Sequence, residues 1–265
     1  MNRMKQRKGL SLVELLITVT ILGIIMPVIY NTLINVQLSA NGSNNEIELQ
    51  TQTRLAMQEI VQDIRQSRAI FDRNVSQLAV FKTNYMADAV TGTYFTANDG
   101  SDRNALSLMK YSEKTIIAGK EVSQYKFIAY YMKLLSPDDS QYDPKSRLRA
   151  IVRLTSKETY IDPSFLTASE QTTALNSGFY LWTPPKGGIT PSFPVNISVN
   201  YRKLTINTAP GNTPVNGIIT PAAGGLIFSQ VGNSVKIMLI SSRLTSGGLK
   251  YIVLNSQSAS RNFVS

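Results

Sequence analysis

Lys8-Gly9-Leu10-Ser11-Leu12-Val13-Glu14-Leu15-Leu16 opens an apolar stretch that runs to Tyr30 and is broken only by Ser11, Glu14, Thr18, Thr20, Gly23 and Pro27. Wound as a helix at about 1.5 Å per residue, residues 10–30 extend roughly 31 Å, enough to cross a hydrocarbon core once. Ahead of the stretch stand Arg3, Lys5, Arg7 and Lys8 with no acid, and no comparable basic block follows directly. That asymmetry puts the N-terminus in the cytoplasm, with residues 40–265 outside and the cytoplasmic (inner) membrane crossed once. A secretory signal would end in a small-x-small cleavage site, whereas the nearest candidate, Leu38-Ser39-Ala40, begins with a bulky Leu.

Glu14 is the residue that a plain anchor does not account for. A carboxylate at the centre of a bilayer costs on the order of 2.5 to 3.5 kcal/mol, and less near an interface, so it calls for a positive partner. A cut after Gly9 would create one: the new amino terminus at Leu10 lies about one helical turn from Glu14, on the same chain or on a neighbour packed with axial stagger. In an apolar surround desolvation takes back much of the attraction, so the pair acts as a register device more than as a source of stability.

The run from Lys8 to Leu16 resembles the class III signal of type IV pilins and type II secretion pseudopilins. The resemblance implies that a prepilin peptidase cleaves after Gly9 and methylates Leu10, and that Glu14 guides docking into a growing filament. Leu10 and Ser11 depart from the commoner Phe-Thr, the first of them conservatively. Further along, Pro27 has no amide hydrogen and leaves the carbonyl of Gly23 without its helical partner, so a kink is predicted at Gly23 and Pro27.

Composition narrows the chemistry. The 265 residues include no histidine and no cysteine, which removes Ser/His/Asp and Cys/His nucleophile systems, thiolate redox chemistry, Cys/His zinc sites and disulfides. No catalytic residue, metal or cofactor is assigned. Lys plus Arg number 27 against 17 Asp plus Glu, a net charge of +10 that falls to +6 without residues 1–9. With 43% hydrophobic and 17% charged residues the chain can bury a core, as one large or two small domains.

Beyond the apolar stretch, the polar cluster Asn41-Gly42-Ser43-Asn44-Asn45 is expected to interrupt or end the first helix. A second helix is predicted from Glu46 to about Ile70, with Leu49, Ala56, Met57, Ile60, Val61 and Ile64 at three- and four-residue spacings. Strands are predicted at 78–82, 105–111, 125–134, 148–155, 195–204, 226–231, 235–241 and 251–254. The class is therefore α+β: a long N-terminal helix, membrane-spanning in its first half and amphipathic in its second, on an antiparallel sheet. Seven of the eleven prolines fall between Pro184 and Pro221 among several glycines, which predicts an elaborated loop region. The division expected is a leader at 1–9, a transmembrane or filament-core helix at 10–38, and an extracytoplasmic domain at 39–265 that includes the amphipathic helix 46–70. Residues 55–67, with later pieces such as Ala105 to Leu108, Tyr130-Tyr131-Met132, Val235 to Leu239 and Ser260-Arg261-Asn262, resemble J-type minor pseudopilins and PilW-like minor pilins.

Three groups of side chains invite a binding role. Leu148, Ala150, Val152 and Leu154 alternate with Arg147, Arg149, Ile151 and Arg153, a strand with one apolar and one basic face. Arg147, Arg149 and Arg153 are candidates for nucleic-acid phosphates, but a solvated outer face is the preferred reading. Tyr125, Phe127 and Tyr131 share a strand face and read as core in preference to a base-stacking platform. Asn98 to Asp102, and Asp138-Asp139 with Asp143, lack the spacing of a calcium loop and read as solvated turns. Trp182, before Pro184-Pro185, is either a contact residue or a loop anchor.

The function expected is a minor pilin or pseudopilin, a structural subunit of a type IV pilus or type II secretion-like filament, placed near the tip and not an enzyme. Its implied partners are prepilin peptidase, membrane lipid before assembly, and other pilins or pseudopilins afterwards. One alternative is a DNA-binding minor pilin for DNA uptake, which would make the basic face functional. Another is a membrane-anchored enzyme or carbohydrate-binding protein with a similar leader.

Overall fold

The structure is a computed structural model that describes residues 12–90, 92–138, 149–186, 191–208, 214–215, 218–219, 225–245 and 248–260. Its contacts divide into two units, Met1–Glu48 and Leu49–Ser265. A single helix, α1 (Leu12–Arg65), supplies the described part of the first unit and enters the second.

The expected interruption at Asn41 to Asn45 is not seen, since α1 continues through it. Five weak helix formers cost about 0.5 to 1 kcal/mol each relative to Ala, whereas a break would need two new caps and a fresh nucleation. Gly23 and Pro27 also lie inside α1.

The helix ends earlier than expected, at Arg65, and β1 (Ser67–Ile70) replaces its last turn. Ser67 donates its hydroxyl to the Ile64 carbonyl at 2.7 Å, which satisfies one of the open carbonyls at the helix end. A second correction concerns residues 78–82, which form part of α2 (Gln77–Tyr85) and not a strand. Leu78 and Phe81 are buried while Val80 is 61% exposed, a three-residue period that a run of four apolar residues conceals.

The remaining elements are β2 (Asp102–Arg103), β3 (Ala105–Ile117), β4 (Lys120–Leu134), β5 (Arg149–Ser156), β6 (Thr159–Ile161), α3 (Ala168–Asn176) and β7 (Phe179–Leu181). They are followed by β8 (Val199–Thr208), β9 (Pro214–Val215), β10 (Ile218–Ile219), β11 (Leu226–Val231), β12 (Ser234–Thr245) and β13 (Gly248–Ala259). Among the described residues eleven strands join one sheet, ordered β1-β3-β4-β5-β8-β12-β11-β2, with β13 beside β12 and the β6–β7 pair beside β4. Apart from the parallel β6–β7 pair, neighbours are antiparallel.

The centre of this sheet is covered on both sides. Ile128, Tyr130 and Met132 of β4 pack with Ala56, Met57, Ile60 and Ile64 of α1. Phe127, Ala129 and Tyr131 point the other way, into a cluster with Phe71 and Phe81 that α2 closes. The unbroken apolar run from Phe127 to Met132 is thus a strand buried on both faces. Tyr125, Phe127 and Tyr131 are core, as expected. Trp182 is a loop anchor: it is 2% exposed, stacks edge-on against Tyr125, and donates its indole N–H to the Ser192 carbonyl at 2.8 Å.

Candidate functional site

Two features stand out, one in each unit. In the first unit, the helix from Leu12 to Leu38 exposes large apolar side chains around its whole circumference, from Leu12 at 81% to Ile25 at 45%. A helix apolar on every side is stable only when lipid or protein surrounds it. Its hydroxyls suit such surroundings. Thr18, Thr20 and Thr32 donate to the carbonyls of Glu14, Leu16 and Val28 at 2.7, 2.8 and 2.8 Å, so these groups are satisfied without water. The helix is long and apolar enough to cross a membrane. Glu14 lies in its first turn, the only acid between Met1 and Asn45. Gly9 and Leu10, the expected cleavage and methylation positions, are outside the described residues.

In the second unit a chain of charges joins the distal part of α1 to the sheet. Glu59 and Asp63 are one turn apart on the helix, and three cations come from different strands: Lys110 of β3, Arg153 of β5 and Arg202 of β8. Lys110 Nζ is 2.7 Å from Asp63 Oδ1, and Arg153 Nη2 is 2.8 Å from Asp63 Oδ2. Tyr130 donates its phenol to the same carboxylate. Burial first, and then the Asp63 charge, push the Tyr130 pKa well above its usual value, so the phenol keeps its proton and remains a donor. Glu59 lies 3.2 Å from Arg153 Nε and also pairs with Arg202. Arg153 and Arg202 face each other across β5 and β8, a like-charge pair that would be unfavourable without Glu59 between them.

This geometry corrects the reading of β5. Its alternation is as expected, with Ala150, Val152 and Leu154 in the core on the α2 side. The basic face is not solvated: Ile151 packs in the cluster beneath α1, and the Arg153 side chain is only 15% exposed. Burial lowers the Arg149 pKa. Arg153 therefore answers carboxylates within the protein, and Arg147 is outside the described residues. Two signals pointed here, Ile151 amid the arginines and Asp63 between the apolar Ile60 and Ile64.

The turn at Asn98 to Asp102 is also internally satisfied. Asp99 accepts from the Ser101 amide at 2.9 Å and pairs with Arg73 at 3.3 Å and Arg103 at 3.9 Å. The Ser101 hydroxyl and amide, ahead of these arginines, hold the Asp99 pKa below its usual value. Of the second acidic group only Asp138 is among the described residues.

No curated protein and no solved structure matches the chain. A family model, the prokaryotic N-terminal methylation motif, matches residues 4–26, the stretch that holds Gly9, Leu10, Glu14 and Gly23, and supports a type IV pilin-like precursor of the kind prepilin peptidase processes.

Proposed function

We propose that the chain is a minor pilin or pseudopilin, a structural subunit of a type IV pilus or type II secretion-like filament, and that it sits near the tip as J-type and PilW-like subunits do. The observation that carries this reading is the methylation motif at residues 4–26, running into an apolar helix whose one early acid is Glu14. The precursor waits in the cytoplasmic membrane with its N-terminus inside, is cut after Gly9, and acquires a methyl group on Leu10. Glu14 then pairs with the amino terminus of a neighbouring subunit, and Leu12, Val13, Leu15, Leu16, Ile17, Leu22 and Ile25 exchange lipid for neighbouring helices.

Mass spectrometry of the N-terminal peptide from membranes tests the processing step. The expected peptide begins at Leu10 and carries one extra methyl group on its amine. An intact Met1, or a start at Asn41, would remove the chain from this class.

A further inference from the structure

Between Leu49 and Arg65 the helix carries two acids, Glu59 and Asp63, and both are taken up by the charge chain, which leaves a cationic face outside. With about 100° per residue, Arg54, Gln58, Gln62 and Arg65 fall within an arc of about 80°, and all four are exposed. Among the described residues no acid pairs with Arg54 or Arg65. Glu59 and Asp63 are only 28% and 2% exposed in their side chains, and both are engaged by Lys110, Arg153 and Arg202. Beside this face a groove of about 530 Å³ opens, lined in part by Leu55, Ala56, Gln58, Gln62, Arg202 and Leu204. Leu55 is 59% exposed and the Arg202 side chain 58%, so apolar and cationic surface lie together there.

We propose that this face docks an acidic amphipathic helix from a second protein, with carboxylates reaching Arg54, Arg65 and Arg202 and an apolar side chain entering the groove over Leu55 and Leu204. Charge excludes a second copy as the natural occupant: residues 49–265 hold 23 Lys plus Arg against 14 Asp plus Glu, a net charge of +9 that repels its like. Nucleic acid fits less well. Leu55, Ala56 and Leu204 of the groove offer nothing to a phosphate backbone but suit an apolar side chain, and the two cations outside the charge chain release few counterions. Arg54 and Arg65 are about 16 Å apart along the axis. An acidic helix lying alongside matches that spacing with carboxylates eleven positions apart.

The test uses the full chain in non-ionic detergent, with three fluorescein-labelled probes: a Glu-striped amphipathic helical peptide, its Lys-striped counterpart and a short DNA duplex. Anisotropy should show binding of the acidic peptide alone, weakened at least about tenfold by Arg54→Glu with Arg65→Glu, and weakened by salt. The double variant Lys157→Glu with Lys186→Glu removes equal charge from exposed sites elsewhere and should leave binding within about twofold. Because the chain has no cysteine, a bimane dye on Gln62→Cys should respond to the peptide while one on Lys236→Cys should not. Equal loss in both charge variants would overturn the proposal as mere net-charge attraction. Tighter binding of DNA than of the peptide, abolished by Arg54→Glu with Arg65→Glu, would reassign the face to nucleic acid. Faster disulfide dimerisation of Gln62→Cys than of Lys236→Cys would reassign it to a second copy. The assay does not depend on cleavage at Gly9, so its failure leaves the filament reading standing.

Discussion

Asp63 is where the distal helix is tied most tightly to the sheet. Its carboxylate accepts from Lys110, Arg153 and Tyr130 while its side chain is 2% exposed, so truncation takes the acceptor from Lys110 and Tyr130 and leaves Arg153 with Glu59 as its one carboxylate among the described residues. Breaking a buried pair by deleting one partner costs about 3 to 5 kcal/mol, and Asp63→Ala should fall near the lower figure because Lys110 can turn toward water. Urea unfolding followed by circular dichroism would measure it; a loss below about 1 kcal/mol would show that the charges contribute little beyond packing. Glu14 poses the opposite case. Glu14→Ala removes a charge that lipid disfavours, so protein level and cleavage after Gly9 should survive, while entry into sheared filaments should fall. Glu14→Asp keeps the charge with a shorter reach and should be intermediate. Equal recovery of all three chains in the filament fraction, with cleavage checked by gel shift, would take the docking role away from Glu14.

Among the elements, α3 shows how a short helix is held by its ends. Thr167 and Glu170 form a reciprocal cap, and Lys120 of β4 reaches Glu170 at 2.7 Å. The Lys120 hydrogen bond, followed by that from the Thr167 amide, holds the Glu170 pKa down to about 2. A depressed carboxyl contributes stability above its unfolded pKa and loses it as pH falls through the folded one. Thermal melts of the wild type and Glu170→Gln should therefore differ most above about pH 4.5 and converge toward about pH 2. A constant gap across that window would show that the charge is not what the cap uses. Neither α3 nor its cap was anticipated from sequence, although Thr167 and Glu170 have the spacing of a capping box, because nine mostly polar residues give no apolar period. The strands of the central sheet are legible for the opposite reason: alternation in β5, and runs that are apolar in β4 and nearly so at the start of β3, exceed what a loop sustains. Residues 78–82 misled because an apolar run of that length has no period of its own. Asn41 to Asn45 misled because composition reports local cost, whereas helix continuation depends on the stable segments at either side. The basic face of β5 is not solvated because charge on a strand calls for a polar partner and not for water alone, and the carboxylates of Glu59 and Asp63 stand within reach of Arg153.

For the whole chain, the two units differ in what they ask of their surroundings. Residues 12–38 expose large apolar side chains on every side of the helix, whereas the unit Leu49–Ser265 buries its large core and carries a net charge of +9. The amphipathic part of α1 keeps its apolar stripe against the sheet, since Ala56, Met57, Ile60 and Ile64 are buried by residues within that same unit. A chain beginning at Glu46 should for these reasons fold, stay in solution without detergent, and elute as a monomer, with like charge opposing self-association. Circular dichroism should report dominant strand with one helix, and the single tryptophan offers a sharper check. Trp182 is fixed by Tyr125 and the Ser192 carbonyl, so its fluorescence should be blue-shifted and its near-ultraviolet circular dichroism strong. A product with normal far-ultraviolet signal but a red-shifted tryptophan would be molten, and would mean that the second unit needs the preceding helix to pack. Aggregation with Trp182 still buried would point elsewhere, to an exposed surface that the intact protein keeps covered. A soluble monomer with Trp182 rigidly packed is what a second unit carrying its own core predicts, and loss of the Trp182 packing is the outcome that would refute it.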